Sequence, residues 1–438
     1  MVSRYKVLPW ELRRVIALSQ HTFIDCNGLA AFMSLGFVQN DMKMIQRTGT
    51  LNFGNAVAEN NRHLLGDDWT AEFSDDPNEW RVQKADVVMG CPPCSGWSVW
   101  SGPANRGPDS KAHEHTVAFM KYAGRVKPRA IVFECVQQAY TQGRDVMVKY
   151  RDMVEQVSGK KYDLYHVKEN NLQVGGFSYR PRYFWVAVES GLKFSTPITE
   201  PKELPRIMDI IGDLAEMPQT WNKQKYTAPS PSKYVKHLRT KDGMVDGHIG
   251  KTNIHAQRIE EIFSIIGNEG WEGNGDTGQA LKKAVDMNDG KFPQKWIDIS
   301  PRVIRKDFKL GFSQPYRWKE DHWCNVLTGS ALDHVVHPTQ PRLITHRESA
   351  RMQGLPDDWN IEAVRDYSQL AAVWGKAVPV QAANWIGKAL KDSLDGNPQG
   401  PDAELIGDRE YLIDADKGFS RHYAKKKWYS SPMETVSE

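Results

Sequence analysis

Cysteine is scarce in this chain, five in 438 residues. That is too few for the disulfide framework of an oxidising compartment, so a reducing, cytoplasmic setting is expected. No apolar run approaches the length of a membrane span, and the first residues lack the pattern of a secretory leader. Neither an internal repeat nor a long low-complexity stretch is present, which excludes a solenoid. Charge of one sign is also missing: 57 Lys and Arg against 54 Asp and Glu leave a net of +3. Such a balance neither demands nor forbids a polyanionic partner. What remains is the composition of a globular protein, 40% apolar and 25% charged, in a chain longer than one core usually spans, so two domains are expected.

The most informative stretch is Ala85 to Gly102, Ala-Asp-Val-Val-Met-Gly-Cys-Pro-Pro-Cys-Ser-Gly-Trp-Ser-Val-Trp-Ser-Gly. Ala85 to Met89 reads as a short buried strand, stopped by Gly90. Pro92 and Pro93 stiffen the loop that follows, so Cys94 is presented rather than buried. Gly96 would let the backbone pass close to a substrate. In an open α/β sheet the carboxyl ends of the strands are where ligands bind. Three readings compete for Cys94. Half a zinc site would need two more ligands at similar spacing, whereas Cys26, Cys135 and Cys324 stand alone, and no metal site is expected. A redox dithiol usually opens a helix, which Pro-Pro-Cys-Ser-Gly does poorly. Covalent catalysis by one thiol is the principal reading, provided acid and anion-binding partners exist elsewhere.

The rest of the first half has an alternating rhythm. A short helix is expected near Glu11 to Leu18, and a strand at Thr22 to Asp25 runs into Cys26-Asn27-Gly28 before a helix from Ala30. A strand, a glycine turn and a helix suit an adenosine-type cofactor, although one glycine is a weak signal. Thr116 to Val126 reads as a helix and Arg129 to Phe133 as a buried strand ending in Glu134-Cys135-Val136. A carboxyl group behind an apolar run is a candidate acid; the alternative is a half-exposed loop residue. Tyr162 to Lys168 and Tyr183 to Val188 read as paired strands. Between them lies Gly175 to Arg182, in which Arg180 and Arg182 would share a face. The rhythm predicts an α/β fold with a doubly wound, mostly parallel sheet.

Past residue 194 the rhythm fades. Leu204 to Leu214 reads as a helix. Residues 222–310 carry 16 Lys and Arg against 11 Asp and Glu, with Trp271 and Trp296 among them. This suits a second, smaller, irregular domain that grips nucleic acid, or a solvated insertion. Order returns near Arg342, where Thr345 and Glu348 form a capping-box pattern, and Val380 to Leu390 reads as an amphipathic helix. The expected divisions are a catalytic domain at 1–194, a recognition domain at 195–335, a return to the catalytic domain at 336–392 and a peripheral tail at 393–438.

In this order the motifs resemble those of the cytosine-carbon-5 DNA methyltransferases. The resemblance rests on Pro93-Cys94 in its loop, on Phe133-Glu134-Cys135-Val136 with Cys135 where Asn is usual, and on Ser178-x-Arg180-x-Arg182 with its Gln absent. It rests further on Arg342 to Asp357 and Gly375 to Pro379. It implies a Rossmann-like fold of the S-adenosylmethionine-dependent type and a monomer acting on double-stranded DNA, bacterial or phage-encoded, in restriction-modification or genome masking. It also implies Cys94 as nucleophile on a flipped cytosine, Glu134 as a neutral acid at ring nitrogen 3, and Arg180 and Arg182 as electrostatic partners. Asp25, Asn27, Gly28, Pro92, Lys376 and Val378 would line the cofactor site. The departures cluster there: the first glycine motif is shortened, no acid stands clearly at the ribose, and Lys376 replaces Asn. A cation beside a sulfonium is repulsive unless an anion intervenes. Lys376 is therefore expected to point either to solvent or a DNA phosphate, or to a carboxylated S-adenosylmethionine as donor. A decayed relative that binds DNA without the cofactor, and a transfer-RNA methyltransferase, are the other readings.

Overall fold

The structure, a computed structural model, describes residues 7–9, 86–90, 92, 94, 96–98, 106–198, 203–250, 254–270, 280, 283–284, 286–287, 316–325, 335–359 and 378–416. The expected helix near Glu11, the Thr22 to Asp25 strand and the Ala30 helix lie outside these residues. In chain order the elements are β1 (Val7–Pro9), β2 (Val87–Gly90), α1 (Glu114–Val126), β3 (Ala130–Cys135), α2 (Gln138–Ser158), β4 (Tyr162–Asn170) and β5 (Pro181–Glu189). Next come α3 (Ile207–Ile211), β6 (Gln224–Lys225), β7 (Met244–Val245), α4 (Ile254–Gly270), β8 (Tyr316–Arg317), β9 (Val335–Val336) and α5 (His346–Met352). Helix α6 (Val380–Leu394) and strands β10 (Glu404–Gly407) and β11 (Glu410–Asp414) complete the order. The chain divides into two compact units, one from Met1–Lys202 with Ala377–Arg421 and one centred on Glu203–Lys376.

The first unit holds a seven-stranded sheet in the order β1-β2-β3-β5-β4-β11-β10. Strands β1, β2 and β3 run parallel, β5 is antiparallel to both β3 and β4, and β11 is parallel to β4. The central strands are near-continuous apolar runs because both faces are covered. Side chains alternate between the faces with the period of two that a strand imposes. Val88, Ile131, Phe133, Leu164 and Trp185 pack with residues of α1 and α2. Val87, Met89, Val132, Val167, Phe184 and Val186 pack with Ala382, Ile386 and Leu390 of α6. This two-sided cover is what the alternating rhythm predicts, and α6 is the amphipathic helix expected from Val380.

Residues 404–414 of the tail, expected to be peripheral, join the sheet. Strand β11 pairs with β4 from Glu410↔Leu164 to Asp414↔Lys168, and β10 forms the outer edge. Polar side chains weld it in. Glu410 accepts from Arg144 at 2.6 and 2.9 Å and from the buried His166 Nε2 at 2.7 Å. Because a carboxylate only accepts, His166 Nδ1 is left to accept from the Tyr183 hydroxyl at 2.7 Å. Burial pushes His166 down to about 4, against the pull of Glu410, so it is neutral at physiological pH. The two strands are only four and five residues long, so their apolar runs, Leu405-Ile406 and Tyr411-Leu412-Ile413, gave a weak signal in the sequence.

Beside this hairpin, Glu155 accepts from Arg409 at 2.5 Å, from Lys161 at 2.9 Å and from the Tyr162 amide at 2.9 Å. Burial alone would raise Glu155, but these partners hold it down to about 2. A carboxylate depressed on folding adds stability above its unfolded value near 4.5, and that stability is lost as the pH falls toward 2. Glu155→Gln is therefore expected to cost about 2 kcal/mol at pH 7, allowing for the exposure of its partners, with the gap to the parent closing at low pH. Denaturant unfolding at a series of pH values measures this; a gap that stays constant down to pH 2.5 contradicts it.

The second unit is organised by the arginine-rich segment 342–357, and the described residues 335–359 group with it. The reason is polar. Arg351 pairs with Asp357 at 2.6 Å and with Asp213, and bonds the Ile210 carbonyl. Arg347 reaches the carbonyls of Asp246, Pro356 and Trp359. Thr345 and Glu348 form the expected capping box of α5. Ile259, Ile262, Phe263 and Ile266 of α4 form an apolar cluster with Val336 and Leu343.

Candidate active site

Three strand ends meet where chemistry is expected. Gly90 at the end of β2 is in register with Phe133 of β3, and Cys135 of β3 with Tyr183 of β5. The loop after β2 therefore emerges beside Glu134 and Cys135. Cys94 is half-buried there, and its carbonyl accepts from the Trp97 amide at 3.0 Å, closing a tight turn. Trp97 is the anchor of that turn. Its ring is buried, lies 4.6 Å from the His113 ring, and covers Gly143, where α2 leaves helical geometry. A Cβ on Gly143 would stand 2.4 Å from the indole, so only glycine admits this contact. Gly96 serves a similar purpose: a Cβ there would meet the His113 imidazole at 2.7 Å.

Glu134 and Arg182 come together as an ion pair, Nε to Oε1 at 2.6 Å, and both are largely buried. Such a short, charge-assisted bond is that of an ionised carboxylate, whereas the sequence reading expects a neutral acid. Arg180 is 2% exposed. Burial first, then Arg182, lowers it to about 9, while Glu134 and Cys94 act in the opposite sense. It thus remains a cation within the electrostatic reach of the Cys94 sulfur. Cys135 hydrogen-bonds with Cys94, and burial, followed by that contact, pushes its thiol well up. A buried thiol of that kind is inert, whereas Cys94 is half-buried.

One neighbour escaped the sequence reading. Glu169, at the end of β4, stands opposite Arg182 in the β4–β5 ladder, and cross-strand partners project to one face. It is fully buried, and among the described residues neither carboxyl oxygen has a hydrogen-bond partner. Burial raises it well above the usual carboxylate range, with Glu134 and Asp416 adding to the rise and Arg182 and Arg180 opposing it. Gln137 fastens the surroundings through bonds to the Glu169 carbonyl at 3.1 Å and to Asp416 at 3.1 Å. Glu169 carries no such signal in the sequence as Glu134 has, because the residue before it is Lys168 and its strand mixes polar and apolar side chains.

On the cofactor side, Asp25, Asn27, Gly28 and Lys376 lie outside the described residues. Pro92 is buried beside the nucleophile loop, and Val378 is buried in the cluster that α6 makes with the sheet. Among the described residues, helix α6, whose N-cap is Pro379, has no side-chain cap, and the buried amide oxygen of Gln381 in its first turn has no partner. First-turn N–H groups can donate to a carboxylate, and a buried amide oxygen can accept from an ammonium. That donor set fits the amino-acid end of S-adenosylmethionine.

Comparison with known proteins agrees. Residues 50–392 match the family described as C-5 cytosine-specific DNA methylase. The chain is 23% identical over 360 residues to the Type II methyltransferase M.DdeI of Desulfomicrobium norvegicum, covering 78% of this chain and 79% of that one. It is 24% identical to the Type II methyltransferase M.XorII of Xanthomonas oryzae pv. oryzae, over 75% of this chain and 73% of the other. Among solved structures it resembles a DNA modification methyltransferase encoded within an E. coli prophage, with a TM-score of 0.49 and 18% identity over 72% of this chain and 80% of that one. With most of its length matched to that one family, the chain belongs to the C-5 cytosine-specific DNA methylases and is an S-adenosylmethionine-dependent DNA cytosine-5 methyltransferase.

Proposed function

We propose that Cys94 adds to carbon 6 of a cytosine flipped out of double-stranded DNA, making carbon 5 nucleophilic enough to be methylated. Carbon 5 of cytosine is a weak nucleophile, and electrons must first be pushed into the ring. The Cys94 sulfur forms the new bond at carbon 6 while Glu134 delivers a proton to ring nitrogen 3, so no net charge builds on the base. Arg180 stabilises the attacking thiolate, and Arg182 orients Glu134 and the ring's carbonyl edge. S-adenosylmethionine supplies an electrophilic methyl group when bound, and Asp25, Asn27, Gly28, Pro92, Val378 and Gln381 would hold it. Loss of the carbon-5 proton to solvent then expels the Cys94 thiolate. A base in a duplex presents neither ring face, hence the flipping. The second unit would grip phosphates and read the groove.

The observation that carries this reading is the meeting of Cys94, Glu134, Arg180 and Arg182 at neighbouring strand ends. Nucleoside mass spectrometry of DNA from cells expressing the chain is expected to find 5-methylcytosine; unmodified DNA would overturn the reading. Trapping by 5-fluorocytosine in DNA rather than RNA separates it from a transfer-RNA enzyme. Lys376, where the family has Asn, favours a second reading, transfer of a carboxymethyl group from carboxy-S-adenosylmethionine through an ion pair with Lys376. Incubation with each donor decides it: if Lys376→Asn leaves donor choice unchanged, the carboxymethyl reading is wrong.

A further inference from the structure

The mechanism needs Glu134 protonated, yet at rest Glu134 is bound to Arg182 as a carboxylate. Protonating it in place would strand a buried guanidinium, at a cost of several kcal/mol. The resolution lies across the ladder. Glu169 is opposite Arg182, while Glu134 is opposite Phe184, which shares its face with Arg182 two residues away. The two acids therefore flank one guanidinium on one face of the sheet. Resting on the catalytic reading above, we propose that Glu134 and Glu169 hold one proton between them, Glu169 being the positioning residue that lets Glu134 act as a neutral acid without leaving Arg182 unpaired.

The charges balance throughout. At rest the site holds two guanidinium groups, the Cys94 thiolate, the Glu134 carboxylate and a neutral Glu169. When cytosine enters, the proton passes from the Glu169 carboxyl to the Glu134 carboxyl, and Arg182 turns its charge to Glu169. Sulfur then bonds carbon 6, the Glu134 proton bonds nitrogen 3, and the site holds two guanidinium groups against two carboxylates. The thiolate's charge has moved to Glu169 with no net charge created in a buried place, where an unbalanced ion is most costly. Expulsion of the thiolate returns the proton to the pair. The groups facing Glu169 are Arg182 and Arg180 from the β5 side, Glu134 from β3, and Asp416 from beyond β11. Asp416 and Glu134 disfavour a second carboxylate at rest, and the unpartnered, fully buried oxygens of Glu169 suit a carboxyl that is neutral until called on.

The test is exchange of the cytosine carbon-5 hydrogen of DNA with solvent from pH 6 to 9.5, with no methyl donor present. It reads Cys94 addition and nitrogen protonation alone. Glu169→Gln cannot lend a proton, so Glu134 must draw one from solvent. Exchange at pH 8 should fall about tenfold to a hundredfold, and the alkaline limb should move to lower pH by roughly one unit. Glu169→Leu, an apolar replacement that needs no partner, should show the same displaced limb, and Glu169→Asp should restore part of it. Wild-type-like limbs in both the Gln and Leu variants overturn the proposal, as does a loss of rate equal at every pH. Absence of exchange in the parent protein overturns the catalytic reading itself, and this one with it.

Discussion

Replacing Cys94 with alanine is expected to lower methyl transfer to DNA by roughly 10⁴-fold or more, the scale on which enzymes lose rate with their nucleophile. The neighbouring Cys135 cannot take over, because burial holds its thiol protonated. Folding should be nearly untouched. The turn is anchored by Trp97 on Gly143 and by the Cys94 carbonyl, none of which depends on the sulfur. Stability should stay within about 0.5 kcal/mol, and affinity for DNA should persist. Steady-state methylation, a melting curve and a DNA-binding titration together check this. An alanine variant that retains a hundredth of the parent rate with the same product would remove Cys94 from the mechanism.

The largest loss of stability is expected from Glu348→Ala. Glu348 is fully buried and accepts two bonds from Arg342, at 2.6 and 2.8 Å, and one from the Thr345 amide at 2.7 Å. Burial alone would raise it, but Arg342 and His337 hold it well below the usual carboxylate range. Truncation leaves the Arg342 charge without its partner and the α5 cap half made, which should cost about 3–5 kcal/mol. Because the folded value is depressed, the penalty is complete above the unfolded value near 4.5 and shrinks below it. Adding Arg342→Met to the alanine variant should recover part of the loss, since no unpaired charge then remains. Chemical unfolding of the three variants measures this; a loss below 1 kcal/mol for Glu348→Ala, or simple additivity in the double variant, contradicts it.

Much of the sheet was legible because its strands are apolar runs with sharp stops. Val87–Gly90, Ala130–Cys135 and the β4–β5 pair fall within two or three residues of their sequence reading. The Cys94 loop, Glu134 and the two arginines stood out through residue type at strand ends, and the structure gathers them there. What was illegible depends on distant contacts. Strands β10 and β11 are short, and distant partners such as Arg144, His166, Lys168 and Tyr165 hold them in the sheet. The arginines of 342–357 read as one motif, but their carbonyl and carboxylate partners, spread from Ile210 to Trp359, decide which unit they join. Glu169 was passed over because a carboxyl group gains meaning only from what lies across the sheet.

The bond from His166 to Glu410 spans 244 positions, and that span sets a timetable. Ribosomes add about 5–20 residues each second, so β4 waits on the order of ten to fifty seconds for the strand that flanks it. During that wait one side of β4 is an open template for stray pairing, and Arg144 and His166 face no carboxylate. Slowed elongation or a premature stop before Glu410 should thus yield insoluble chains rather than a shortened, working enzyme. DNA methylation would begin only after β11 has been made and has joined β4.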